Sequence, residues 1–599
     1  MILVFGGTTE GRKAAEVLEQ AGKPFYYSTK TGEQELALKH GLRLDGALDE
    51  SAMKLFCREH DIRLIVDAAH PFAERLHATV AMVAAALKLP LIRYERLYPK
   101  RDRSLEWVDS VEDIRWGDAP LRILSTLGVQ SIARLKPYEN ADRHFLYRIL
   151  PRESSITLAR SLGATDEQLC FYHEGEDEQS VLQRLQPDVL LLKESGLSGG
   201  FLEKVEAAKA LGIRVIAIRR PTLYSSPSTT HHSSLSTTHH SSPSTLHPTL
   251  VDGPHGLRRA VERLLPDFFT LKSGLTTGTC ATAAAVAAWH RLLTGETPDE
   301  VAVRLPDGES IRVAVAYADD YAYCIKDAGD DPDVTDGAEV RASVVPSDHF
   351  LIRGGEGVGR FTLPGFDYPP GEAAINRGPR QMLRENITGN YAVTISVRDG
   401  ADIARRTFNP RLGIEGGISI IGVSGIVQPY SEEAFLESIR KCLCVAEASG
   451  AERVVLGSGA KSEDALKGFY PHLPAQAFVQ YGNYVGATLT MADELGIRQL
   501  TLGMMLGKAA KLAAGQLDTH SRQGTFDRVF IAQLLTEAGI DLDISSITLV
   551  RELWDLLPAE RIEPFVKVVI DHCRCYCEPL FTKGELTLLL IDDKGCIYA

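Results

Sequence analysis

Through residues 1–220, short β-branched runs alternate with amphipathic stretches, and this alternation leaves few folds open. Ile2–Phe5, Ile62–Ala68, Arg122–Ser125, Val189–Leu192 and Val215–Ile218 read as buried strands. Ala14–Ala21, Ala73–Leu87 and Phe201–Leu211 read as helices. Strands that alternate with helices specify parallel sheets covered on both faces. The expectation is an α/β chain whose N-terminal half holds two such units, residues 1–110 and 111–266, with a break near Trp107–Asp118. From Ser273 the pattern changes. A small-residue helix (Cys280–Ala288), alternating strands (Val301–Val315), Gly-rich loops and the buried strands Val454–Gly457 and Leu500–Met504 predict a mixed α+β domain plus an α/β region over 273–599.

Residues 225–248 break both patterns. SSPSTTHH, SSLSTTHH and SSPSTLHP are three imperfect repeats with almost nothing a core could use, so disorder is expected. Arg258–Leu265 regains helical periodicity. The repeat therefore reads as an insertion (221–250) between the last strand and last helix of the first half, with a short junction at 267–272. A long surface insertion costs little closure entropy. The net charge of −14 argues against nucleic-acid or anionic-membrane partners. No uncharged apolar run reaches a membrane span, no secretory leader is recognised at Met1, and ten scattered cysteines suit a reducing, cytoplasmic setting. Self-association is left open.

Ile2–Gly11 passes from a strand through Gly6, Gly7, Thr8, Thr9, Glu10 and Gly11 into a helix start. Such a turn offers backbone N–H groups and a helix N-terminus to a pyrophosphate, as in Rossmann-like units. Thr8 stands where the usual fingerprint has its middle glycine, so a cofactor cradle and a tight structural turn both remain open. Phe25–Tyr27 leads into Ser28-Thr29-Lys30 without the acid that holds a ribose diol, which leaves NADH and NADPH open. Asp67 and His70 follow a buried strand, where ligands of open α/β sheets bind; they are candidate catalytic groups or helix-capping groups. A second Gly-rich strand-to-helix loop contains Lys193, Ser195, Gly196, Gly199 and Gly200, and could close over a ligand or simply turn the chain.

In the second half, Thr276, Thr277 and Thr279 precede the small-residue helix, where hydroxyls and free N–H groups suit a carboxylate or phosphate. Lys326 opens a loop of acids that hold it and the loop backbone; that loop lacks the spacing of a calcium site. Gly457-Ser458-Gly459 follows a buried strand and resembles the adenosine-side loop of a methyl-donor site. Lys508 and Lys511 share a helical face and could grip carboxylates. His520 is a candidate acid or base. Cys573, Cys575 and Cys577 would share one face of a strand, but no second cluster completes a metal site, so no metal is assigned.

Taken in order, GGTTEGR, DAAHPFAERLHATV, PLIRYER, KESGLSGGFLEK and IRRP resemble precorrin-6A reductases over residues 1–220 and 250–266. Ala69 departs from that family's usual Thr. SGLTTGTCATAAA, KDAGDDPDVTDG, GGEGVGRFTLPG, GEAAINRGPR, NPRLGIEGGISIIGVSGIV and GKAAKLAAGQLDTHS resemble cobalt-precorrin-5B (C1)-methyltransferases over nearly all of 273–530. Tyr481-Gly482-Asn483 departs from that pattern. The resemblance implies a bifunctional enzyme of cobalamin biosynthesis. It would methylate the ring using S-adenosyl-L-methionine, then reduce the product using NADH or NADPH. It also implies cobalt-precorrin substrates rich in carboxylates, so Arg75, Arg93, Arg96, Arg148 and Lys193 are candidates to line the reductase cleft.

Overall fold

The computed structural model describes residues 1–30, 36–173, 175–196, 200–221, 248–520 and 527–599. Most of the Ser/Thr/His repeat, and Gly199, lie outside the described residues. Contacts divide the chain into two units: Met1–Lys272 with Asp307–Arg312, and Ser273–Pro306 with Val313–Ala599. No helix among the described residues is long and apolar enough to cross a membrane.

The first unit begins β1 (Ile2–Phe5), α1 (Thr9–Glu19), β2 (Phe25–Thr29), β3 (Gly41–Asp45), α2 (Glu50–Glu59), β4 (Leu64–Asp67), α3 (Glu74–Leu87) and β5 (Leu91–Tyr94). It continues through β6 (Glu106–Val108), β7 (Leu121–Ser125), α4 (Ile132–Leu135), β8 (Arg143–Ile149), α5 (Glu153–Ser161) and β9 (Leu169–Phe171). It closes with α6 (Glu178–Leu185), β10 (Val189–Lys193), α7 (Phe201–Ala210), β11 (Arg214–Ile218), β12 (Thr249–Val251) and α8 (Pro254–Leu264). Two six-stranded sheets result, ordered β12-β5-β4-β1-β2-β3 and β6-β11-β10-β7-β8-β9. All their pairings are parallel. The central strands are buried end to end, as a sheet covered on both faces requires.

Two parallel sheets form as expected, but two edge strands fall on the other side of the boundaries drawn from the sequence. β6, which the 1–110 boundary puts in the first unit, pairs with β11 in the second sheet (Trp107 against Ala217). β12, expected partly inside the disordered insertion, pairs with β5 in the first (Thr249 against Ile92, Val251 against Tyr94). Helix α8 follows it, and Leu257, Ala260 and Val261 join Ala14, Ala15 and Leu18 of α1 in one core. The first sheet thus takes an edge strand from chain beyond the second, while the second is built from the continuous stretch between β6 and β11. Burial decides this: the α1 side of the first sheet is covered only when α8 arrives.

In the second unit a long helix, Thr277–Thr294, packs on a five-stranded sheet built around Glu339–Pro346 and Tyr391–Val397. Its first turns are wholly buried, which explains the run of Ala, Gly and Thr there. Three glycines mark a backbone crossing nearby. A Cβ on Gly400 would lie 2.2 Å from the Gly357 carbonyl oxygen, and one on Gly417 would lie 2.1 Å from it. The remaining α/β region has the strand order Phe478–Gln480, Val454–Gly457, Gln499–Met505, Glu585–Ile591, Ile597–Tyr598, parallel except for the last. The cysteine-rich tail is not a strand. It ends the helix Ala559–Cys577, so Cys573 and Cys577, four residues apart, are buried on one face while Cys575 is exposed.

The glycine crossing yields a paired prediction. Gly417→Ala forces backbone apart and should destabilise the second unit by about 1–3 kcal/mol. Gly468→Ala, inside the helix Ala460–Phe469 with open space around its Cβ, should stabilise it by roughly 0.5–1 kcal/mol. Thermal unfolding of the two variants checks the opposite signs.

Candidate functional site

Ligands of open parallel sheets bind beyond the carboxyl ends of the strands, where the strand order reverses. In the first unit these points lie between β1 and β4 and between β7 and β10. Phe5 pairs with Asp67, so the Gly6–Gly11 turn and the Ala68–Phe72 loop leave the sheet side by side. Gly6 and Gly11 are dictated by packing. A Cβ on Gly6 would sit 2.2 Å from the Tyr27 ring, and one on Gly11 would sit 2.6 Å from the Gly6 Cα. Gly7, at φ +85°, is exposed at the turn, while its N–H donates to the Tyr27 hydroxyl at 3.2 Å.

Thr8 and Glu10 lie within the scaffold. The Thr8 hydroxyl caps α1 by accepting the Gly11 N–H (2.9 Å) and donates to the Ala68 carbonyl (2.7 Å). Glu10 accepts from Arg96 Nε at 2.8 Å, and Arg96 Nη1 donates to the Ser195 carbonyl at 2.7 Å. Thr9 is half-buried between them. Gly196 packs against Arg96 and Leu97, and Gly200, at φ +66°, caps the start of α7. The Gly6–Gly11, Ala68–Phe72 and Lys193–Gly196 loops are therefore fastened to one another at the carboxyl ends of the two sheets, where a crevice is expected.

Two of the candidate residues are too enclosed for the roles expected of them. Asp67 is 0% exposed. It accepts from Arg93 Nη1 at 2.9 Å and contacts His77 Nδ1 at 2.6 Å. Burial works against its charge, yet the His77 hydrogen bond and the Arg93 guanidinium hold the carboxyl below its ordinary range. Arg93 is 1% exposed and spends its donors on Asp67, the Ala69 carbonyl and Glu95. Neither can reach a substrate; they form the buried support of the loop that carries His70. Arg148 is likewise held by Glu176 and Glu178.

His70 and Lys193 remain at the crevice. The His70 ring is held on its loop by the Phe72 N–H, which donates to Nδ1 at 3.2 Å. Burial, then the charges of Arg96 and Lys193, pushes its pKa down to about 4, so the ring is neutral at cellular pH. Lys193 Nζ lies 5.0 Å from the centre of the Phe72 ring. Burial, then Arg134, lowers its pKa below the ordinary lysine value. Sequence reasoning missed Glu10 as the partner of Arg96, and Asp45, which accepts from the Thr29 hydroxyl at 2.8 Å. Asp45 lies on β3, one strand beyond the position searched for a ribose acid.

In the second unit, the Thr loop is structural. Thr276 caps its helix by accepting the Thr279 N–H, Thr279 Oγ1 donates to the Gly425 carbonyl at 2.6 Å, and Thr277 Oγ1 bonds to Ser419 and Ile421. These hydroxyls clamp the Gly-rich stretch 413–427, so substrate binding by them is not supported. Lys326 is 2% exposed and pairs with Asp333 at 2.7 Å, which removes it from substrate contact as well.

Gly457, Gly459, Lys508, Lys511 and His520, by contrast, collect at one edge of the α/β sheet, where the order reverses between Val454–Gly457 and Gln499–Met505. Tyr481 N–H donates to the Gly457 carbonyl, Lys508 Nζ to the Gly482 carbonyl, and Lys511 Nζ to the carbonyls of Thr519 and His520. Burial, reinforced by Lys511, lowers the Lys508 pKa to about 8. Beside this edge lies a narrow recess of about 20 Å³ lined by Phe408, Arg411, Phe435, Phe478 and Gln480. Glu463, 3% exposed, receives hydrogen bonds from Arg411, Lys467 and Gln480 at its wall. Nothing in the local sequence marks Glu463, because Arg411 comes from a distant loop. One group of potential metal ligands occurs among the described residues: His255, Asp307 and Glu309. Glu309 is engaged there by the backbone N–H groups of His255 and Gly256.

A family model described as Precorrin-6x reductase CbiJ/CobK matches residues 1–239, and one described as CbiD matches residues 266–429. A cobalt-precorrin-5B C(1)-methyltransferase of Prosthecochloris aestuarii is 44% identical over 352 residues, covering 55% of this chain and 95% of that relative. The protein of the same name from Geobacillus kaustophilus is 44% identical over 324 residues, covering 51% of this chain and 87% of the relative. A solved structure described as CobK precorrin-6A reductase aligns with 44% of this chain and 96% of its own, at 18% identity and a TM-score of 0.34.

The enclosure of Arg93 is testable. Arg93→Met strands much of the Asp67 charge in the interior and should cost about 3–5 kcal/mol. Denaturant unfolding of the first unit should shift to lower concentration. Unchanged stability with weaker substrate binding would instead mark a ligand-facing arginine.

Proposed function

This chain belongs to the cobalt-precorrin-5B C(1)-methyltransferase family and carries a precorrin-6x reductase domain ahead of that part, and we propose that it performs two steps of cobalamin biosynthesis in succession. The first is methylation of cobalt-precorrin-5B at C1 to give cobalt-precorrin-6A. The second is reduction of that product to cobalt-precorrin-6B. The observation that carries the reading is the 44% identity over 95% of the methyltransferase relative, with a reductase match in the same chain. Both halves are enzymes of small corrin intermediates.

The methyl donor is S-adenosyl-L-methionine, which supplies a methyl group on a sulfonium. Gly457 and Gly459 would face its adenosine end, with the aromatic recess of Phe408, Phe435 and Phe478 beside them. Lys508 and Lys511 would draw in the carboxylate arms of the ring, and His520 would stand at the same edge. The reductant is NADH or NADPH, which supplies hydride. The exposed Gly7 turn and the N-terminus of α1 favour its pyrophosphate. His70, neutral, would donate a hydrogen bond without adding charge, and Lys193 would meet an anionic substrate. Linking the two halves raises the local concentration of the intermediate near the second site.

Anaerobic incubation of the purified chain with cobalt-precorrin-5B and S-adenosyl-L-methionine, followed by product mass, tests the reading. One methyl group should be gained without reductant, and two hydrogens added once NADH or NADPH is supplied. Methylation that never proceeds to reduction would reduce the first half to a nucleotide-binding or assembly module. Lys508 gives a second outcome. Its charge is present below about pH 8 and lost above it, so the KM for the cobalt-precorrin in methylation should rise as pH passes 8. Lys508→Met should remove that dependence and weaken substrate binding by roughly tenfold, the effect of one charge-assisted hydrogen bond.

A further inference from the structure

Reducing a ring double bond needs two deliveries. Hydride leaves the dihydronicotinamide for one carbon, which oxidises the cofactor to NAD(P)⁺, and a proton must reach the neighbouring position. A proton donor must therefore hold its proton at cellular pH and release it in the crevice. Most charged groups around the crevice fail that requirement. Asp67 is enclosed and held as a carboxylate by His77 and Arg93. Glu10 is committed to Arg96, and Glu194 to Arg101 and the Arg220 N–H. Arg93, Arg96 and Arg134 carry guanidinium groups, which do not give up a proton in proteins. The His70 ring is neutral, and its Nδ1 accepts the Phe72 N–H, so its one proton is an imidazole N–H rather than an acidic one.

We propose that Lys193, at the carboxyl end of β10 beside His70 and Phe72, is the general acid that protonates the ring in the reduction. The inference rests on the reductase reading of the first unit. Lys193 ends the strand that flanks the reversal of order in the second sheet, while His70 follows the strand that flanks it in the first. The side chain is half-buried against the Phe72 face, and no carboxylate pairs with it among the described residues. The charged or titratable groups that bear on it are His70, which is neutral, and Arg134, which disfavours the ammonium. A desolvated ammonium of this kind releases its proton more readily than one in water. On transfer, the N–H bond of Lys193 breaks as the ring C–H or N–H bond forms. The neutral amine then recovers its proton from solvent before the next turnover.

The test uses the full chain with cobalt-precorrin-6A and the nicotinamide that supports turnover, comparing Lys193→Met and Lys193→Arg. Nicotinamide binding by fluorescence confirms that each variant's first unit is folded. Lys193→Met should lower kcat by about 100-fold or more, the span of general acid catalysis, with nicotinamide affinity within about twofold. Lys193→Arg, which keeps the charge but not a transferable proton, should restore KM for the corrin and not kcat. The unaltered chain should lose activity as pH rises through a value below the ordinary lysine figure of about 10.4, and Lys193→Met should lose that limb together with the solvent deuterium effect. Wild-type rates in Lys193→Arg, or a change in KM alone with the pH limb intact, overturn the proposal and leave Lys193 as a carboxylate anchor. An unaltered chain that binds nicotinamide without reducing the corrin overturns the reductase reading itself, a result distinct from either.

Discussion

A parallel sheet whose strands are added first to one side and then to the other has one place where adjacent loops turn to opposite faces. The crevice there is left by topology and does not have to be carved out by side chains. Three sheets in this chain share that constraint. In each of them a Gly-rich turn and a residue with displaced titration (His70 and Lys193 in one unit, Lys508 in the other) lie at or beside such a point. The chemistry is placed by strand order, and the loops only choose which groups occupy it.

What surrounds each crevice is an internal charge economy. Asp67, Arg93 and His77 satisfy one another behind the His70 loop, Glu10 and Arg96 tie that loop to the next, and Glu463 gathers Arg411, Lys467 and Gln480 in the second unit. Buried charges of this kind add little net stability, but losing one partner is costly, so they hold loop geometry closely. Lys193 and Lys508 differ because their ammonium groups find aromatic faces or backbone carbonyls where other cations find carboxylates.

Strands, helices and the Gly-rich turns were legible in the sequence because each is decided within about ten residues. Gly6 and Gly11 announce the turn, and the alternation through residues 1–220 announces the parallel sheets. Which polar residues face a ligand was not legible. Arg93, Lys326 and Thr279 look like binding groups on their own segments, but their partners sit elsewhere: Asp67 is 26 residues from Arg93, and Gly425 is 146 residues from Thr279. The sheet membership of β6 and β12 was hidden for a related reason. A three-residue edge strand has no pattern that names its neighbour; for β12 the burial of α8 against α1 settles it.

The late position of β12 also bears on how the protein emerges during synthesis. The first sheet opens the chain, yet its last edge strand and the helix that seals one face are encoded beyond residue 248. Until that stretch has left the ribosome, β5 presents an open edge and the apolar side of α1 stays bare. The second sheet, complete by Ile218, is in a position to form first. The earliest-made part of the polypeptide is thus finished by the later-made part, and a nascent chain halted near residue 220 would carry an unsealed flank into the crowded cell.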